Sequence, residues 1–418
     1  CLCLPLYRAV AERMREKIRQ NGVRKMKNES VAILDIRSYS LTFLIGGRGV
    51  NGTFVFRGGE SADYDGYGTD GFYDVSSFTS AANRVINSVL SSYDGTLKKM
   101  YISVPAPFIG VRTKGQTMSF EKRRKITSAE IEALYAAGLN ELAENRALAD
   151  ESAMYFSIGD NRRYFSVSDV IGSKTAVLQG ALCYYFLNEE FYSLTQKLFS
   201  AMGFSQIEYL PQSLSEATYL LPAKTREGYA AILDVGYAVS SAFVVYGGGI
   251  VHEESFDCGA GSLLAGLMNE FDVGFDKARE ILSAADVSGG AVPKGTIWTD
   301  RDGNMYSVQR INDVIKCGLD ELCEKTDSFF EKYYGSRMIA GDSSNPLYLT
   351  GEGVQEVRGV AEHTERRLSR VTRMICPEIP YYDKPGYSSR ISALNAALEK
   401  AEEKSGLYKF LNKFGGKK

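Results

Sequence analysis

The chain has 418 residues, 44% of them hydrophobic and 24% charged, which suits a globular protein with enough chain for two or more domains. Its formal net charge of −2 lacks the basic excess that a nucleic-acid partner normally requires. Seven scattered cysteines without a CxxC pair, and two distant histidines, His252 and His363, give no zinc or disulfide framework, so a reducing cytoplasm is expected.

No stretch approaches the ~18 apolar residues of a membrane-spanning helix. The N-terminal CLCLPLYRAV has too short an apolar core for a signal peptide. Residues 1–25 end in the basic RMREKIRQNGVRK, either a basic arm or sequence upstream of a start at Met26; the second is the expectation. SVAILDI (30–36) and SLTFLIGG (40–47) read as strand, turn and strand, with GTFVFRGG (52–59) as a third strand. A Gly/Asp-rich loop over 63–74 leads into a helix whose buried stripe is Phe78, Ala82, Val85 and Val89. KKMYISVPAPF (98–108) is a strand that opens a compact α+β insert. The insert holds a short strand near 115–120, a helix started by the capping box Thr127-Ser128-Ala129-Glu130, and strands around 153–158, 162–167 and 174–186.

A helix over 189–203, a strand over 205–210 and a helix over 212–221 return to the main body. AILDVGYAVSSAFVVYGGG (231–249) then repeats the strand–turn–strand pattern, with Asp234 and Gly236 at the bend. A long helical stretch, a polar loop with the single tryptophan, Trp298, and a helix over 311–333 follow. Residues 346–368 read as strand, Gly loop and helix, and a last helix near 388–404 gives way to SGLYKFLNKFGGKK. The two Asp-bearing hairpins, ILDIRSYSLTFLIGG and ILDVGYAVSSAFVVYGG, form an internal echo, which implies a duplicated domain. Two α/β lobes would then face each other across a cleft able to clamp phosphates between the turns.

These segments resemble the actin-like ATPase superfamily, and within it the bacterial cell-division actin FtsA. DGFYDVSSFTSAANRVINSVL is similar to the family's Gly-x-x-Asp loop and helix, and LKKMYISVPAPFIGVRTKGQTMSFEKRRKITSAEIEALYAA to the start of its 1C subdomain. IEYLPQSLSEATYLL resembles the connection between lobes, and CGAGSLLAGLMNEFDVGFDKAREIL the entry to subdomain 2B. LTGEG resembles the adenosine-loop LTGGG pattern, and YSSRISALNAAL the closing helix of the first lobe. The likeness runs in order from Met26 to the C-terminus. It implies an α/β, actin-like two-lobed fold of duplicated ribonuclease-H-like domains with a 1C-type α+β insert. Subdomain 1A would comprise 26–97, 186–222 and 381–400, and the 1C insert 98–185. Subdomain 2A would comprise 223–261 and 335–380, 2B 262–334, and a linker and amphipathic membrane-binding tail 401–418.

The resemblance implies a cofactor, ATP with Mg²⁺, held by turn residues: Asp35, Arg37 and Ser38 in the first hairpin, Asp234, Gly236 and Ser240 in the second, and Gly351 and Gly353 in the adenosine loop. Asp35 and Asp234 would organise the hydrated Mg²⁺, which takes only one or two carboxylates and keeps its waters. An Asp at a tight turn is also common for backbone reasons alone. The surroundings depart from the family pattern. Asp-Ile-Gly-Thr becomes Asp35-Ile36-Arg37-Ser38, and the second turn replaces two of three glycines with Tyr237 and Ala238, with Val239 and Ser241 also changed. Glu352 stands at the middle glycine of the adenosine loop, and Arg279 and Leu282 replace residues for the ribose and base. Arg37 has three readings: it grips phosphate, it pairs with Asp35 or Asp234 in the metal's place, or it points to solvent from a turn that binds nothing. Losing one charge-assisted hydrogen bond costs about 1.5–3 kcal/mol, so several such losses remove micromolar affinity. Weak or absent ATP binding, and no meaningful hydrolysis, is the expectation.

In the tail, Leu407, Phe410, Leu411 and Phe414 fall on one helical face, with Lys409 and Lys413 beside them to meet anionic headgroups. The implied function is a division scaffold, peripheral on the inner face of the cytoplasmic membrane. It polymerises with copies of itself, binds the C-terminal peptide of the tubulin-like FtsZ and other divisome proteins, and uses no nucleic acid. The alternatives are a PilM-like scaffold of a pilus or secretion machine, and an active ATP-dependent kinase or ATPase of the same superfold; the altered phosphate turns count against the last.

Overall fold

The computed structural model describes residues 30–49, 51–334, 345–355 and 357–414, with side chains as far as Glu402. The expectations for residues 1–25 therefore lie outside the described residues. The first sheet uses β1 (Val31–Ile36), β2 (Ser40–Arg48) and β3 (Phe54–Asp63). Two short strands follow, β4 (Tyr67–Gly68) and β5 (Gly71–Phe72), in what the sequence suggests is loop. The helix Val75–Ser92 comes next, capped by Asp74, which accepts from Ser76 N at 2.7 Å. Its buried side includes Phe78, Ala82, Val85 and Val89, because apolar residues at helical spacing turn toward the sheet.

Strand β6 (Lys99–Val104) returns to the sheet, and β7 (Ile109–Lys125), β8 (Leu148–Ser157) and β9 (Lys174–Leu187) form a separate sheet in the order β7-β9-β8. The helix Ser128–Leu142 covers one face of this sheet, burying Ile131 and Leu134 with Leu178, Leu182 and Phe186. Its capping box forms as the sequence indicates, with Thr127 N donating to Glu130 Oε2 at 2.8 Å. From the other face, Cys183 and Tyr185 pack with Ile232, Phe243 and Ile250, so the insert's sheet is wedged against the second lobe.

β10 (Gln206–Pro211) completes the first sheet in the order β10-β6-β1-β2-β3. The second lobe repeats it with β11 (Ala230–Val235), β12 (Ser240–Tyr246) and β13 (Gly249–Phe256). After the short hairpin β14 (Ile297–Thr299) and β15 (Met305–Ser307) come β16 (Leu347–Thr350) and β17 (Thr372–Met374), giving the order β13-β12-β11-β16-β17. In both lobes the opening strand pairs antiparallel with the next and parallel with a later one. Asp35 sits opposite Thr42, and Asp234 opposite Ser241, at the same place in each hairpin. The duplication implied by the sequence echo is thus present in the sheets.

Four sequence expectations are corrected. The short strand near 115–120 is the middle of the 17-residue β7, whose polar end EKRRK lies at a mostly exposed edge and carries little apolar signal. Residues 162–167 form no strand. Tyr164 makes one isolated bridge to Phe156, and Ser166 caps a short helix, Val167–Val170, with Ser168 N donating to its Oγ at 3.2 Å. Trp298 lies in the β14–β15 hairpin opposite Tyr306, whose ring meets Phe271 at 5.3 Å, rather than in an unstructured loop. The last helix does not end near 404 in a linker: its backbone runs continuously from Ser388 to Phe414. The side chains of Leu407, Lys409, Phe410, Leu411, Lys413 and Phe414 lie outside those described. Among the described residues no helix is long and apolar enough to cross a membrane.

Candidate functional site between the lobes

The two Asp-bearing hairpins bring their turns face to face. Arg37 leaves the β1–β2 turn, crosses to the second lobe and is buried there. Its guanidinium donates to both carboxylate oxygens of Asp234, at 2.8 Å and 3.0 Å, in a fork-on-fork pair. Gln212, from the helix Gln212–Leu220, donates Nε2 to the same Asp234 Oδ2 at 2.8 Å. Glu216, one turn further, lies 3.9 Å from Arg37. Tyr64 fixes the turn by donating its hydroxyl to the Arg37 carbonyl at 2.8 Å.

Burial works against the Arg37 charge, but Asp234, Glu352 and Glu216 together raise its pKa well above the usual arginine value. The nearby acids shift the other way. Burial, then the Asp234 charge, raises Glu216 well above the carboxylate range. Burial raises Glu352 as well, and the Arg37 charge only partly offsets it. One charge-matched pair, Arg37 with Asp234, is thus surrounded by carboxyls held toward their neutral form.

Asp35 is engaged on its own side. Its Oδ1 accepts from the Ser389 hydroxyl, at the start of the final helix, and its Oδ2 lies 4.0 Å from Arg390 Nε. Ser38 occupies the second turn: its Oγ accepts from the backbone N–H of Ala238 at 2.9 Å and of Val239 at 3.3 Å. These amides are the donors a phosphate would need. The Val239 side chain joins the core of the first lobe. Tyr237 lies against Tyr39 across the cleft, ring centroids 4.4 Å apart. Gly351, with φ +101°, passes so close to Asp234 Oδ1 and the Val235 carbonyl that a Cβ would collide with both. Gly236 and Gly353 meet at the same crossing. Ser240 is corrected out of the cluster, because its hydroxyl turns away to donate to the Cys258 carbonyl at 2.5 Å.

Of the three readings of Arg37, pairing with Asp234 is the one observed. The residues do not fit a hydrated Mg²⁺ and a triphosphate. Both aspartates are engaged, the Arg37 cation stands against Asp234, and a serine holds the second-turn amides. The space left among Arg37, Ser38, Gln212, Glu216 and Asp234 is ≈ 10 Å³, about the room of a single water. A larger cavity of ≈ 180 Å³ opens beside it, lined by Tyr39, Tyr237, Phe275, Arg279, Leu282 and Glu352. Sequence reading misses Gln212, Glu216, Ser389 and Arg390. Gln212 and Glu216, polar residues four apart and therefore on one face of their helix, are the signal the sequence offers.

No family model matches the sequence, and no curated protein matches it. Solved structures match the fold. A chain of a PilM–PilN type IV pilus biogenesis complex aligns with TM-score 0.57 and 13% identity, over 89% of this chain and 99% of that one. MreB5 of Spiroplasma citri bound to ADP aligns with TM-score 0.52 and 9% identity, over 90% of this chain and 98% of that one. The same protein bound to AMPPNP aligns with TM-score 0.50 and 9% identity over the same shares, 90% and 98%. The fold is therefore that of the actin-like ATPases. At these identities the likeness establishes the fold and nothing finer.

Proposed function

We propose that this chain is an actin-fold scaffold that has exchanged its nucleotide for an internal salt bridge. The observation that carries this is the Arg37 fork on Asp234, formed between the two turns where the superfamily places metal and phosphates. A bridge within the chain couples the lobes without ligand, so their contact does not depend on nucleotide. Such a protein works by assembly and partner binding, not by turnover. The resemblance favours an FtsA-like division scaffold, polymerising on the cytoplasmic membrane and holding FtsZ by its C-terminal peptide. A PilM-like role in a pilus or secretion machine is the second reading, favoured by an alignment that spans 99% of a chain from a PilM–PilN complex.

The test is calorimetric titration of the purified protein with ATP·Mg²⁺. No heat of binding at about 100 µM nucleotide is expected. A dissociation constant of a few micromolar overturns the proposal.

A further inference from the structure

The insert is threaded into the first lobe at both ends: β6 runs into β7, and β9 runs into the helix Glu189–Ala201, which leads back to the first sheet through β10. Its packing continues into the second lobe, where it meets the turn between β12 and β13. That turn carries three consecutive glycines, Gly247, Gly248 and Gly249. A Cβ on Gly247 would collide with the Met154 carbonyl of β8, one on Gly248 would crowd the Ala153 carbonyl, and one on Gly249 would strike the Cys183 sulfur of β9. Bare backbone is therefore what lets this turn lie against the insert.

Two backbone donors of the second lobe cross this contact. Gly248 N donates to the Ala153 carbonyl at 3.1 Å, and Ile250 N donates to the Tyr185 hydroxyl at 3.0 Å. Tyr185 is fully buried, and its hydroxyl also meets that of Ser152 at 3.0 Å, which ties β8 and β9 to the same edge. Beside the turn, Tyr246 of β12 accepts at its hydroxyl from Arg163 of the insert at 2.5 Å, and the insert's Tyr155 and Phe165 meet its ring at 5.8 Å and 5.6 Å. The cleft turns make a separate connection, in which Ala238 N and Val239 N donate to Ser38 of the first lobe beside the Arg37–Asp234 fork. The seven residues of β12 lie between the two connections, which places them about 20 Å apart at the usual rise of a strand. One attachment leaves two bodies free to hinge about it, and a second at that distance removes the rotation.

We propose that the insert is a clasp, which holds the second lobe to the first independently of the Arg37 bridge. The insert and the second lobe then move as one body, and the angle between the lobes is fixed at two separable points. A scaffold built this way presents partners with one relative placement of its lobes. The clasp does not depend on the loss of nucleotide, since its residues lie outside the cleft turns, so it stands or falls separately from the ATP titration.

The crossing amides supply the readout, because each exchanges its hydrogen when its own contact opens. Exchange is followed on the full chain at residue resolution, relative to the amides of β11, which report global unfolding. Arg37→Ala should speed exchange at Ala238 and Val239 by about tenfold and leave Gly248 and Ile250 within about threefold. Gly248→Leu, which wedges a side chain against the Ala153 carbonyl, should do the converse, speeding Ile250 by about tenfold and sparing Ala238 and Val239. Tyr185→Phe keeps the ring and removes the hydroxyl, and it should repeat the Ile250 effect even where the bulkier change does not fold. Equal changes at the two pairs of amides in Arg37→Ala, whether both rise or both hold, overturn the proposal. Unchanged exchange at Ile250 in Tyr185→Phe overturns it as well.

Discussion

Arg37 and Glu253 are two buried ionisable side chains with opposite circumstances, one fully partnered and one not. Truncating Arg37 leaves Asp234 buried beside Glu216 and Glu352 with no cation in contact, and removal of one member of a buried pair costs about 3–5 kcal/mol. Arg37→Ala should therefore lower stability by about that amount, measured by urea denaturation near neutral pH. An unchanged midpoint would show that the bridge contributes nothing to holding the lobes. For Glu253, burial, aided by the Asp234 charge and opposed by Ser213, pushes the carboxyl from 4.5 up to about 7. The folded state then binds its proton more tightly than the unfolded state, so wild-type stability falls as pH rises from about 4.5 to about 7. Glu253→Gln removes this dependence. Its unfolding free energy should match the wild type near pH 4.5 and exceed it at pH 8 by on the order of 3 kcal/mol, measured by urea denaturation. A gap that does not widen over that window would count against a raised pKa.

Among the elements, the hairpins and amphipathic helices were readable because their periodicity is local. Asp35 and Asp234 fall one residue before the ends of β1 and β11, where the continuous apolar runs VAIL and AAIL meet an acid at the turn. The helix Val75–Ser92 and the capping box at Thr127 follow from spacing within one or two turns. Two of the misreadings share a cause. The charged end of β7 and the β14–β15 hairpin are polar or half-exposed, so burial imposes little pattern on them. The partner of Arg37 was not readable at all: the chain separation from Asp234 is 197 residues, and three destinations were chemically reasonable.

At the scale of the whole molecule, membrane attachment separates the two scaffold readings. A tail that binds by an apolar face and lysines makes full-length chain pellet with anionic liposomes, while a chain ending at Lys404 stays in the supernatant. Equal pelleting of both would remove the membrane tail and favour a scaffold recruited by a membrane-bound partner. Multiple weak tails in one polymer would strengthen the binding, so the contrast should grow with protein concentration.

The sequence by itself determined the duplicated hairpins, the helices that cover them and the departure of the turns from a phosphate-binding pattern. These are local consequences of hydrophobic spacing and of which residues give up backbone amides. Only the tertiary structure decided where the displaced chemistry went. It set Arg37 on Asp234, Ser38 on the amides of Ala238 and Val239, and Ser389 on Asp35, and it buried the Glu253 carboxylate of β13 without a hydrogen-bond partner among the described residues. Those contacts join residues remote in the chain, and their partners are chosen by how two packed lobes and an insert align buried charges, which no local pattern encodes.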